Sequence, residues 1–409
     1  MVSKAARTHL DDSPRSGLSR PLIIVAGLSF GPVVALGLAR FAYSLLLPAM
    51  RSNLHWTFAQ AGTMNTANAV GYLVGAIAAG PLVARVGCRR PYLIGLVLTG
   101  LALLTSGASA SFEVLLVLRL VAGATGAVVF IAGAGLVSRL IAELAPGRSS
   151  VLLGVYFAGG GLGIVISAVV VPVALHLGTG GSWRWGWIVL GITSLVVLTG
   201  ALPAALRASE PPVDPGQRVM GWPLKRLAPT IASYALFGAG YIGYVTFIVA
   251  FLKVDGVRPG VISGFWAVLG ATSVVAAFAW GPALGRLQGG RGPATVLAML
   301  TVGAVLPLIF PSALGAFASA LAFGGSFLAV VTAVTNLARR SLTPAQVAPA
   351  IAVLTVAFGI GQSLGPVLAG ILSDGPNGVR SGLELSVALL AAAAMVALIQ
   401  RRTPDQDLT

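Results

Sequence analysis

Twelve apolar runs of roughly twenty residues succeed one another along this 409-residue chain, and that recurrence leaves little choice of fold. Such a run crosses a hydrocarbon core of about 30 Å as a helix. In lipid the backbone must pair its own polar groups, within helices or in a closed barrel, and the short alternating segments of barrel strands are missing. The reading is an all-α polytopic membrane protein with spans at 21–50, 59–83, 92–111, 114–138, 149–175, 184–206, 227–252, 260–284, 293–311, 314–338, 347–373 and 383–400. Only 9% of the residues are charged, which excludes an ordinary soluble domain.

The first twenty residues are polar and lack an apolar core, so they read as a tail and not a cleaved signal. The net charge of +15 would suggest nucleic acid in a soluble protein; here it reads as topology. Of the 26 Lys and Arg, 19 fall on one side of the membrane, five on the other and two inside spans. That bias predicts both termini in the cytoplasm and no nucleic-acid partner. Cys88 is the only cysteine, so neither a disulfide nor a thiolate metal cluster is available. No metal and no cofactor are expected.

The chain matches itself at an offset of 201 residues. Gly37 and Tyr43 fall on Gly238 and Tyr244, and Gly80, Pro81 and Arg85 fall on Gly281, Pro282 and Arg286. Likewise Arg139 falls on Arg340 and Phe157 on Phe358. Six spans separate the copies, so both halves have the same orientation, with a binding site near mid-depth between them. The expected organisation is a tail over 1–20, a six-helix bundle over 21–206, a cytoplasmic linker over 207–226, a second bundle over 227–402 and a tail over 403–409.

At the turn between spans 2 and 3 the sequence Gly80-Pro-Leu-Val-Ala-Arg85-Val-Gly87-Cys-Arg89-Arg90 resembles the gating loop of the major facilitator superfamily. Arg119-Leu-Val-Ala-Gly123-Ala-Thr-Gly126-Ala in span 4 resembles a second element of that superfamily. The stretch from Gly37 to Met50 is similar to the first helix of its bacterial YbfB/YjiJ-like subgroup. The resemblance implies a major facilitator fold, a bacterial inner-membrane location, and a secondary transporter working by alternating access. It also implies a gate around Gly80, Arg85, Gly87, Arg89 and Arg90. Ala84 stands where the family loop has an aspartate, so that lock is weakened or replaced.

Candidate site residues follow from charge. Arg40 lies in the middle of span 1, and all eleven acidic residues lie at span ends or in loops. A charge in hydrocarbon costs about 2.5 to 3.5 kcal/mol or more, so an intramembrane arginine points to function. Tyr43 and Ser44 follow at i+3 and i+4 and are expected on its face. Asn65, Asn68 and Tyr72 make a polar stripe on span 2, and Arg119 is a second buried cation with either a ligand or a scaffold role. From the other half come Tyr241, at the repeat position of Arg40, with Tyr244, Trp266 and Gln362.

This set suits a small organic anion with an apolar body. Without a buried acid or histidine, coupling falls to a proton carried on the substrate, a counter-transported anion, or nothing. Export of a neutral or amphipathic metabolite or drug is the alternative, and a non-transporting receptor on the same scaffold is another. No catalytic group converges, so an enzyme is not expected. The protein is expected to be a monomer whose partners are the bilayer and a small molecule.

Overall fold

The computed structural model describes residues 16–144, 148–177, 182–210 and 224–401; the remaining stretch of the expected linker, and most of both tails, lie outside it. Every regular element among the described residues is helical. We number the spanning helices α1 (Ser19–Leu54), α2 (Phe58–Val86), α3 (Arg89–Ser106), α4 (Phe112–Leu144), α5 (Ser149–His176) and α6 (Trp183–Arg207). They continue as α7 (Ala228–Val254), α8 (Pro259–Arg286), α9 (Arg291–Ile309), α10 (Ala313–Ser341), α11 (Pro344–Ser373) and α12 (Val379–Ile399). Eleven of these are long and apolar enough to cross a membrane. The twelfth, α3, is shorter and opens on Arg89 and Arg90; it packs between α4 and α6.

Two helices depart from the uninterrupted rods expected from the sequence. In α1, residues Val33–Phe41 form a π-helix, with the Ala42 amide bonded to the Gly37 carbonyl at 2.9 Å, five residues back. Long π segments are rare and concentrate at functional sites. Arg40 lies in its last turn. In α10, the Gly324-Gly325 pair splits the span into Ala313–Gly324 and Phe327–Ser341.

Close crossings explain several of the glycines. A side chain at Gly37 would collide with the backbone of Gly163, which fixes α1 against α5 at its π segment. Across the two halves, a Cβ at Gly161 would lie 2.7 Å from the Gly270 carbonyl, and the reverse holds. Small residues let helices approach in this way and slide.

Contacts between the halves obey the repeat. The main pairs are α2 with α11 and α5 with α8, which exchange under the six-helix offset. A third contact joins the second part of α1 to α7. The end of the molecule that carries the α1–α2 turn is called distal here and the end with the α2–α3 turn proximal. At the distal end the Asp374 carboxylate, just past α11, accepts from the Phe58 and Ala59 amides of α2 at 2.7 and 2.9 Å. Ser44 donates to the Val245 carbonyl (2.6 Å), Asn65 Nδ2 to Thr246 Oγ1 (2.6 Å) and Thr66 to the Ser363 carbonyl (2.8 Å). Towards the proximal end, Gly80, Gly281 and Gly285 face open space.

Candidate functional site

Arg40 is 3% exposed, and its Nε and Nη2 have no hydrogen-bond partner among the described residues. Its guanidinium lies 5.2 Å from the ring centre of Tyr72 on α2, and the Tyr241 phenol of α7 is within its electrostatic reach. The two repeat-related positions, 40 and 241, thus come together across the interface. None of the acidic side chains among the described residues is buried.

Behind Tyr241 stands a wall of nearly parallel rings. Tyr234 stacks on Phe358 at 4.7 Å and Phe237 on Tyr241 at 4.9 Å. Tyr241 continues onto Phe358 at 5.7 Å and Phe327 at 6.2 Å, and Phe323 onto Tyr244 at 4.3 Å. Phe41, beside Arg40 in sequence, meets Phe327 edge-on at 5.7 Å. Rings stacked in this way cover one another's faces and form an apolar, aromatic wall. Gln362 is one helical turn beyond Phe358 and so shares its face; it is 1% exposed and its Nε2 is unpartnered.

Other expected residues are occupied elsewhere. Tyr43 and Ser44 do not turn their hydroxyls to Arg40: Tyr43 donates to the Ala61 carbonyl at 2.7 Å, and Ser44 to Val245. A buried hydroxyl must be paired, and backbone carbonyls across the helix gap satisfy both. Asn65 ties α2 to Thr246, leaving its Oδ1 unpaired, and Asn68 donates to the Arg119 carbonyl at 3.2 Å. Tyr244 shares a hydrogen bond with Ser319 at 2.6 Å, and Trp266 donates to Ser167 at 3.1 Å between α8 and α5. These side chains hold the walls in place.

Arg119 is tethered. Its Nη1 donates to the Ala39 carbonyl at 2.6 Å, while the guanidinium lies 5.0 Å from Trp187 and 5.4 Å from Tyr43. It therefore grips the π segment at the residue before Arg40.

The α2–α3 turn answers the missing aspartate at 84. Glu210, beyond α6, accepts from the Cys88 and Arg89 amides at 2.7 and 3.0 Å and so caps α3. Arg89 donates to the Ala205 and Ala208 carbonyls at 2.9 and 2.7 Å. Gly87 takes a positive φ of 78° at this turn. Burial and the Glu210 carboxylate push the Cys88 thiol up to about 11. Arg85 and Arg90 are exposed. The loop is thus fastened within its own half. Sequence reasoning missed Glu210, Asp374, Phe327 and Phe358 as site or gate residues; only the acid next to a helix end was a usable signal.

Comparison with known proteins gives a consistent answer. The model of the family described as "Uncharacterised MFS-type transporter YbfB" matches residues 32–399. The chain is 30% identical to a chloramphenicol resistance protein of Streptomyces lividans, covering 91% of this chain and 96% of that protein. It is 26% identical to a probable multidrug-efflux transporter of Mycobacterium tuberculosis strain H37Rv, covering 83% and 86%. Among solved structures, a bacterial homolog of the lysosomal transporter Spinster in an inward-facing, unoccupied conformation superposes with a TM-score of 0.67 at 18% identity, over 96% of this chain and all of that one. The nucleoside transporter NupG superposes with a TM-score of 0.67 at 14% identity, over 93% and 97%.

Proposed function

Since the chain belongs to the family of YbfB-type transporters within the major facilitator superfamily, we propose that this multi-pass membrane transporter moves a small amphipathic compound with a flat apolar body and an anionic or acceptor-rich end. One observation carries the reading: the buried, unpaired guanidinium of Arg40 opposite the ring wall of Tyr241, Phe237 and Phe358. A guanidinium recognises a carboxylate or similar oxygens through paired donors, while the rings take the apolar body. With no buried acid among the described residues, a cationic substrate would find no acidic partner and would face the like charge of Arg40.

The distal ties and the open glycines of α2 and α8 support a form closed at the distal end. With the expected cytoplasmic termini, the proximal end is the inner one and this form faces inward. Alternating access then exchanges the distal ties for proximal ones by rocking of the halves. Export of a neutral drug is a second reading, favoured by the names of the curated relatives, chloramphenicol resistance and multidrug efflux. Its acceptor oxygens would meet the same guanidinium.

Proteoliposomes test both readings, using aromatic carboxylates, their methyl esters and chloramphenicol, on the wild type and Arg40→Gln. The anion reading expects flux of the acids to be lost with the arginine. Flux of the esters and chloramphenicol alone would establish the neutral reading, and unchanged acid flux in Arg40→Gln would overturn the role of Arg40.

A further inference from the structure

Arg119 carries a second, separate donor edge that the transport reading does not use. Its Nη1 is spent on the Ala39 carbonyl, whereas Nε and Nη2 are buried without a partner in a side chain that is 1% exposed. Nε–H and Nη2–H lie on the same edge of the guanidinium and point the same way, which is the fork that grips an anion with two bonds. The guanidinium lies over the rings of Trp187 and Tyr43, which take its faces and leave the edge free, and Arg40 is within electrostatic reach. Two cations therefore share a low-dielectric corner, with no buried carboxylate among the described residues to balance them. A buried charge left without a counter-charge is strongly disfavoured, so a counter-charge from solution is favoured.

We propose that the Arg119 edge binds a small inorganic monoanion, chloride or bicarbonate, as a fixed counter-ion beneath the substrate site. Nε and Nη2 expose almost no surface, so only a small ion fits against this edge. Its charge would partly offset Arg40 and so let one site hold neutral and anionic substrates alike. Binding itself does not depend on the transport reading; only this consequence for substrate choice rests on it.

The test uses the purified full-length protein without substrate, at a constant ionic strength of about 0.15 M, with gluconate replaced stepwise by chloride or by bicarbonate. The expected result is a saturable rise in Tm of several degrees with one or both small anions, because a ligand bound to the native state stabilises it. Arg119→Gln should flatten that curve. A second readout does not depend on the folding of that variant: iodide should quench the tryptophan fluorescence of the wild type in a saturable phase assigned to Trp187. Chloride should compete with it, and the phase should be missing in Trp187→Phe. A Tm indifferent to anion replacement together with purely linear quenching would overturn the proposal. A saturable anion effect that persists unchanged in Arg119→Gln would overturn the assignment to this edge. A saturable Tm rise alongside unchanged acid flux in Arg40→Gln would leave the anion site standing and sink only the transport role of Arg40.

Discussion

Helices α1 and α7 occupy equivalent places in the two repeats, yet they differ in winding and in chemistry. Both bury nearly every residue of their central turns, and both pack on the helix four further along or its six-helix partner through close glycine contacts, Gly37 on Gly163 and Gly238 on Phe358. Helix α1 is π-wound over Val33–Phe41 and presents a bare cation, while α7 is regular and presents stacked rings. Repetition supplied a symmetric scaffold, and divergence at one matched position, Arg40 against Tyr241, made its two faces chemically complementary.

Five substitutions break or sharpen that contrast. The largest effect is expected for Arg40→Gln, which should lower the flux of anionic substrates by about a hundredfold, since removing one member of a buried charge pair costs roughly 2–5 kcal/mol. Proteoliposome flux at matched protein levels measures it; a variant within twofold of wild type would make the two helices functionally alike. Next is Gly37→Ala, which forces a methyl into the Gly163 backbone and should destabilise the protein by about 1–3 kcal/mol, seen as a lower Tm. An unchanged Tm would show that the π segment is not clamped by α5.

Smaller effects are expected on the ring side. Tyr241→Ala and Phe358→Ala should each weaken substrate binding about tenfold, as a stacked pair contributes roughly 0.5–1.5 kcal/mol beyond its area. Because the rings touch at 5.7 Å, the double variant should cost less than the sum, which titration calorimetry would reveal. Strict additivity would mean that the rings serve as scaffold and not as a shared surface. Last, Asp374→Ala removes two bonds to the first turn of α2, worth about 0.5–2 kcal/mol by comparison with helix caps. Residues near the distal seam, converted singly to cysteine, should then react several-fold faster with an impermeant maleimide. Equal labelling rates would show that the seam does not depend on this carboxylate.

The fold was open to reading from the chain because apolar length and repetition are dictated by the bilayer itself. Arg40 stood out for the same reason, as a charge where hydrocarbon penalises one. The rest needed three dimensions. Helical spacing put Tyr43 and Ser44 beside Arg40, but spacing cannot say which carbonyl on a neighbouring helix claims a hydroxyl. The π segment has no local signature beyond Pro32 ahead of it, and depends on α4 and α5 pressing on α1 through Arg119 and Gly163. Nothing in the sequence sets Phe327 and Phe358 apart from core residues; only the fold brings their rings parallel to Tyr241.

Beside the Thr57–Gln60 capping box of α2 itself, part of the cap on this helix comes from the opposite half of the molecule, and this turns a stability device into a clock. When the distal end parts, Asp374 leaves with α11, and the Phe58 and Ala59 amides meet water. Deuterium uptake at those two amides, followed over time in a membrane at rest and then with substrate added, at a pH where exchange outpaces reclosing, would report the rate of opening. A pair of backbone protons would thus report the turnover rate without any label on the cargo.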